Sequence, residues 1–189
     1  MNTYNLSGLN VLVIEQHSLI RDAIRGALEA MNVKKVRLAN NVRKAFMMMQ
    51  GDKPDLILTD WSPGLDGIEL MNLIRKDRHS PDVFVPVVIM SAYSEAHHVN
   101  KAINAGINDF LKKPISASSI FSRIKWIIEN PRLYVRSGPY FGPCRRRTNA
   151  FFDGFDRRRR PTYEGRERRQ QQLPFRGKER RFGYQARAA

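Results

Sequence analysis

The sequence holds a single cysteine, Cys144, in 189 residues. That excludes an internal disulfide framework and any zinc site built on several cysteines. No uninterrupted apolar run approaches the ~18 residues needed to span a bilayer. The first residues, Met1 to Ser7, lack the basic and apolar regions of a signal peptide. The expectation is a soluble, cytoplasmic protein. The four histidines show no metal-ligand grouping, and adjacent His97 and His98 should point to different faces of a helix. Acid is scarce, with 18 Asp and Glu against 33 Lys and Arg, a formal net charge of +15. A charge of that size suggests a polyanionic partner where it is clustered.

It is clustered. Residues 1–130 carry 16 basic and 13 acidic side chains, a net of +3. Residues 131–189 carry 17 and 5, a net of +12. The division falls at Asn130-Pro131, where a proline suits the end of a helix. The sequence therefore predicts a domain over 1–130 and an Arg-rich, disordered extension over 131–189. The extension has almost no aliphatic run and cannot bury a core.

Apolar runs in the first part are short and nearly continuous: Val11 to Ile14, Leu56 to Leu58, Val85 to Met90 and Ile107 to Leu111, with a weaker one at Val36 to Ala39. Such runs suit strands buried on both faces of a parallel sheet. Helical spacing fills the gaps, as in Leu19, Ile20, Ala23, Ile24, Ala27, Leu28 and Met31, or Ile120, Ile124, Ile127 and Ile128 after Ser116 as N-cap. Val99, Ala102 and Ile103 precede Gly106, a good C-cap. Segments 41–50 and 67–76 complete the set. Five alternating βα units imply an α/β doubly wound sandwich. Met47 to Met49 reads as core packing with one exposed member.

In such a fold, function gathers at the carboxyl ends of the strands. Glu15 and Gln16 follow the first strand, Asp60 the third, Ser91 the fourth, and Lys112, Lys113 and Pro114 the fifth. Carboxylates on one rim can hold a hard cation such as Mg2+, which takes one or two carboxylates plus phosphate and water oxygens. A hydroxyl and an ammonium can hold further phosphoryl oxygens. The set suits phosphoryl transfer onto a carboxylate.

Four motifs lie in order at these strand ends: Val-Leu-Val-Ile-Glu-Gln, Asp-Leu-Ile-Leu-Thr-Asp-Trp with Asp66-Gly67 beyond it, Val-Ile-Met-Ser-Ala, and Ala-Gly-Ile-Asn-Asp-Phe-Leu-Lys-Lys-Pro. Together they resemble the receiver domain of two-component response regulators, over roughly residues 8–130. The resemblance implies a five-stranded parallel sheet in the order 2-1-3-4-5. It implies that Asp60 is the phosphoacceptor and that Glu15 and Gln16 stand where the family has its acidic metal-binding pair. Ser91 matches the hydroxyl that binds the phosphoryl group, Lys113 the lysine that pairs with the phosphorylated aspartate, and Phe110 the aromatic switch position. Ser62 stands where a backbone carbonyl joins the metal.

The chain departs from that pattern twice. Gln16 removes one carboxylate, so the pocket holds −2 rather than −3 with Asp60 ionised. Asp60 to Gly67 takes seven steps where the family takes eight, which disturbs the Ser62 carbonyl. Both departures predict weaker Mg2+ binding than is usual. Trp61, beside the acceptor, should report binding by its fluorescence.

The extension repeats an aromatic, a glycine and paired arginines, as in Phe141 to Arg147, Tyr163 to Arg169 and Phe175 to Arg181, with a looser copy at Phe155 to Arg160. Its candidate binding residues are Arg145, Arg146, Arg147, Arg157, Arg158, Arg159, Arg160, Arg168, Arg169, Arg180 and Arg181. Arginine is used almost alone, which favours planar contacts with phosphates or an acidic groove. The resemblance thus implies a phosphorelay response regulator, not an enzyme beyond its own phosphorylation and dephosphorylation. Its partners would be a histidine kinase or phosphotransfer protein and a downstream protein. The alternatives are a pseudo-receiver scaffold switched without phosphate, or a module that binds nucleic acid or another polyanion through the extension.

Overall fold

A computed structural model describes residues 4–145 and, as backbone only, the strand at 172–173. Each apolar run becomes a strand, and each periodic segment a helix. The order is β1 (Asn10–Ile14), α1 (Ser18–Ala30), β2 (Lys35–Ala39), α2 (Val42–Gly51), β3 (Leu56–Asp60), α3 (Gly67–Lys76), β4 (Val87–Ser91), α4 (Ala96–Ala105), β5 (Asp109–Lys112) and α5 (Ala117–Glu129). The strands form one parallel sheet in the order β2-β1-β3-β4-β5, as expected. The three central strands, β1, β3 and β4, are buried along their whole length, whereas the edge strands β2 and β5 carry exposed or half-buried positions.

Alternation along the strands divides the core in two. Leu12, Ile14, Ile57, Val87 and Ile89 face one side, with Met49, Leu70 and Ile74. Val11, Val13, Leu56, Leu58, Val88 and Met90 face the other, with Ile24, Leu28, Ile120 and Ile124. Burying each such side chain contributes about 1.5–3 kcal/mol. Caps fix the helix ends: Asn41 Oδ1 accepts from Lys44 N–H, Asp66 Oδ1 from Ile68 N–H, and Ser116 forms a capping box with Ser119. Gly106 closes α4 at φ 95°, a conformation that favours glycine. Met49 is buried and Met47 exposed, as the sequence suggested.

The boundary expected at residue 130 is corrected. The chain past Pro131 folds back as a hairpin of β6 (Tyr134–Ser137) and β7 (Tyr140–Pro143), in register from Tyr134↔Pro143 to Ser137↔Tyr140. Gly138, at φ 56°, and Pro139 form its two-residue loop, with the positive φ that tight hairpin turns require. Tyr134 and Phe141 are buried and pack against Phe84, with ring centroids 5.3 and 5.7 Å away. The backbone of β8 (Gln172–Leu173) pairs with the other edge of β6.

Arg75 is the hub of this attachment. It is buried, and burial pulls its pKa down. Its guanidinium donates to the carbonyls of Gly106, Val83 and Val85 and to Asn108 Oδ1, and lies over the Tyr134 ring. Among the described residues no carboxylate lies against it, and those acceptors make the buried cation tolerable. Tyr134 Oη donates to the same Asn108 Oδ1 at 3.1 Å, and Arg132 donates to the carbonyls of Asn108 and Cys144. Two aromatic side chains and a ring of carbonyls thus replace the aliphatic run that residues 131–144 lack. The disorder expected further along, with Arg146, Arg147, Arg157 to Arg160, Arg168, Arg169, Arg180 and Arg181, concerns positions outside the described residues.

Candidate functional site

Backbone pairing runs one residue past the strand ends and sets the rim. Glu15 N–H donates to Ala39 O, Trp61 N–H to Met90 O, and Lys113 N–H to Ser91 O. Glu15, Asp60, Ser91 and Lys113 therefore lie together at the carboxyl edge of the sheet. Glu15, Asp60 and Ser91 are all buried. Lys113 bridges the two carboxylates, with Nζ 2.8 Å from Glu15 Oε2 and 2.7 Å from Asp60 Oδ1. The contact with Asp60 is an ion pair by proximity, without an aligned hydrogen bond.

The two signs support each other. Burial acts against the charged form of Lys113, but its interactions with the Asp60 and Glu15 carboxylates outweigh it and raise its pKa. Burial likewise acts to raise the Glu15 pKa, but Lys113 and the His17 N–H together bring it below the ordinary value. His17 N–H and ring Nδ1 both lie 3.0 Å from Glu15 Oε1, and Arg21 donates to the Glu15 carbonyl at 2.8 Å. These orienting roles of His17 and Arg21 had no signal in the sequence. Both residues precede or open a helix in the ordinary way, and their targets are backbone atoms or one buried oxygen.

The sequence over residues 11–125 matches the response regulator receiver domain. The chain belongs to this family. It is 30% identical over 133 residues to the phosphate regulon transcriptional regulatory protein PhoB of Pseudomonas aeruginosa, covering 70% of this chain and 54% of that protein. It thus spans about half the length of that curated relative. It is 26% identical over 122 residues to the chemotaxis protein CheY of the same organism, covering 64% of this chain and 97% of that one. The solved structure of the chemotaxis response regulator CheY4 of Vibrio cholerae superposes with a TM-score of 0.57 at 19% identity, over 63% of this chain and 98% of that one, a likeness of fold.

Within this receiver, the remaining candidate residues fall as follows. Ser91 Oγ donates to the Trp61 carbonyl at 2.9 Å and accepts from Tyr93 N–H at 3.1 Å. Phe110 lies on β5, half-buried against the α2–α3–α4 side of the core. Gln16 turns to the loop after β3, where its Nε2 donates to the Pro63 carbonyl at 3.2 Å. The Ser62 carbonyl accepts from Leu65 N–H at 3.0 Å, closing a tight turn. Pro63 and Gly64, the latter at φ 95°, occupy its two central positions, as a type II turn asks. Ser62 instead reaches Asp60 through its hydroxyl, which donates to Oδ2. His97 and His98 do not diverge: their ring centroids lie 4.0 Å apart.

Among the described residues, no three or more His, Cys, Asp or Glu side chains group as metal ligands. Glu15 and Asp60 are two carboxylates on one rim, the low end of what Mg2+ uses when phosphate and water oxygens complete its shell. Their donor chemistry fits such a cation, with one carboxylate fewer than the family pattern and with the Ser62 carbonyl already engaged. Among the described residues, no helix is long and apolar enough to cross a membrane.

Proposed function

We propose that this receiver accepts a phosphoryl group on Asp60 from a histidine kinase or phosphotransfer protein in the cytoplasm, and signals by contact with a downstream protein. The observation that carries the reading is Lys113 Nζ, held at 2.7 Å from Asp60 and 2.8 Å from Glu15 on the buried rim. An acyl phosphate on Asp60 would add negative charge where an ammonium is already fixed. Glu15 and Asp60 are the residues that would hold Mg2+, which when bound screens the charge between the incoming phosphoryl oxygens and the acceptor. Ser91, by giving up its bond to the Trp61 carbonyl, can donate its hydroxyl to a phosphoryl oxygen. The chain's own catalysis is limited to this phosphorylation and its reversal. Phosphotransfer to the wild type and to Asp60→Asn tests the reading: labelling of the first alone is expected, and equal labelling of both sinks it.

A second reading has its own support. The bond from Gln16 to Pro63 and the closed Ser62–Leu65 turn suit a pseudo-receiver scaffold switched without phosphate. Absence of any saturable Trp61 response to Mg2+ and beryllofluoride favours it. The basic chain that leaves the hairpin is the candidate contact for nucleic acid or another polyanion. Its affinity would fall steeply with log salt if so, and a flat salt dependence excludes it.

A further inference from the structure

Helix α4 is gripped at both ends. At its first turn, the His98 ring stacks on Tyr93, with centroids 5.4 Å apart and planes 23° from parallel. The same ring meets Trp61 edge-on at 5.5 Å, and His98 Nδ1 lies 3.2 Å from Glu95 Oε2. Lys101, one turn on, places Nζ 5.7 Å from the Trp61 ring centroid. Trp61 and Tyr93 are the two residues whose backbones share the Ser91 hydroxyl. A change of the group to which Ser91 donates therefore frees the Trp61 carbonyl, beneath one of the rings that flank His98.

At the other end, Gly106 meets the hairpin with no slack. A Cβ on Gly106 would stand 2.6 Å from the Phe141 carbonyl oxygen, and one on Gly142 would stand 2.6 Å from Gly106 Cα. Arg75 Nε donates to the Gly106 carbonyl and so ties the same corner to Tyr134. Close-packed contacts of this kind transmit displacement rather than absorb it. Between the two ends, Ala102 is fully buried in the core.

We propose that α4 carries the state of the Asp60 site to the β6–β7 hairpin, which makes the hairpin the output element of this receiver. The proposal rests on the phosphoacceptor reading above. It differs from a plain docking face in that the moving part is a C-terminal segment of the chain itself.

The test uses the full chain, with beryllofluoride and Mg2+ as the probe and hydrogen exchange across residues 134–143 as the readout. Exchange in the hairpin is expected to change about tenfold when the site is saturated. In His98→Ala, Trp61 fluorescence should still saturate with the probe, but the hairpin response should fall below about twofold. Saturation of Trp61 with no change in hairpin exchange overturns the proposal. Coupling is reciprocal, so a second arm needs no phosphate mimic. Gly142→Ala should shift Trp61 emission, and Tyr134→Phe, which keeps the ring and removes the hydroxyl bonds, serves if the first variant does not fold. An unmoved Trp61 in a folded variant overturns the link through α4. Failure of the probe to bind, with a shifted Trp61 in this arm, overturns the phosphoacceptor reading and the signalling role while showing the mechanical link intact, so the two failures are told apart.

Discussion

Gln16 donates its side-chain amide to the Pro63 carbonyl at 3.2 Å, and its Oε1 lies 3.0 Å from where a Cβ on Gly64 would stand. The two departures from the receiver pattern, a missing carboxylate and a loop shorter by one residue, therefore meet in space. The amide that replaces the carboxylate supplies the donor that braces the shortened loop. A carboxylate at position 16 could not donate to that carbonyl.

Gln16→Asp should accordingly trade one property for another. A third carboxylate near Glu15 and Asp60 should tighten Mg2+ binding by about tenfold, allowing for screening in a partly solvated pocket. Loss of the bond to Pro63 should cost about 0.5–1.5 kcal/mol of stability. A Mg2+ titration followed at Trp61 and a urea melt check the two effects. Unchanged metal affinity would show that position 16 does not face the cation.

Lys113→Met should leave Glu15 and Asp60 buried without their shared counter-charge. Removing one partner of a buried ion pair costs about 3 kcal/mol. Asp60→Asn in the Lys113→Met background should recover part of that loss, measured by urea unfolding as a double-mutant cycle.

The same contacts set the pH dependence. Glu15 is held below its ordinary value of 4.5. Its contribution is therefore complete above that value and is lost as pH falls through the folded-state pKa. Lys113 is held above its ordinary value of 10.5. Its contribution is complete below that value and is lost as pH rises through the raised pKa. Wild type should therefore lose stability on both limbs, and Lys113→Met should flatten both. Parallel wild-type and mutant curves would count against the bridge.

Truncation after residue 130 should be far more damaging than truncation after residue 145. The shorter chain exposes Phe84 and leaves the buried Arg75 without the Tyr134 ring above it. Within the longer chain, Tyr134→Ala should cost about 3 kcal/mol. Thermal unfolding of the two truncated chains and the point variant gives the comparison. Equal midpoints for the truncated chains would mean the hairpin does not stabilise the fold.

Where sequence could be read, the reason is local. β1, β3 and β4 are buried on both faces, so Val11 to Ile14, Leu56 to Leu58 and Val85 to Met90 stand out as apolar runs. Gly106 and Ser116 mark helix ends because their backbone and side-chain chemistry acts within a few residues. The rim residues were placed at strand ends for the same reason. The hairpin was not legible, because its apolar stretches, Leu133 to Val135 and Tyr140-Phe141, are too short to stand out, and the partners of Tyr134 and Phe141, Phe84 and Arg75, lie at least fifty positions earlier. The bond from Gln16 to Pro63 spans 47 positions and joins a side chain to a backbone carbonyl, which no periodicity reports.

The most direct test of the central claim is the intact mass of wild type and Asp60→Asn after incubation with acetyl phosphate and Mg2+, with Trp61 emission followed in parallel under beryllofluoride. The account predicts one added phosphoryl group and a saturable Trp61 response in wild type, and neither in Asp60→Asn. Equal labelling of both proteins, or no labelling and no Trp61 response in wild type, would contradict it.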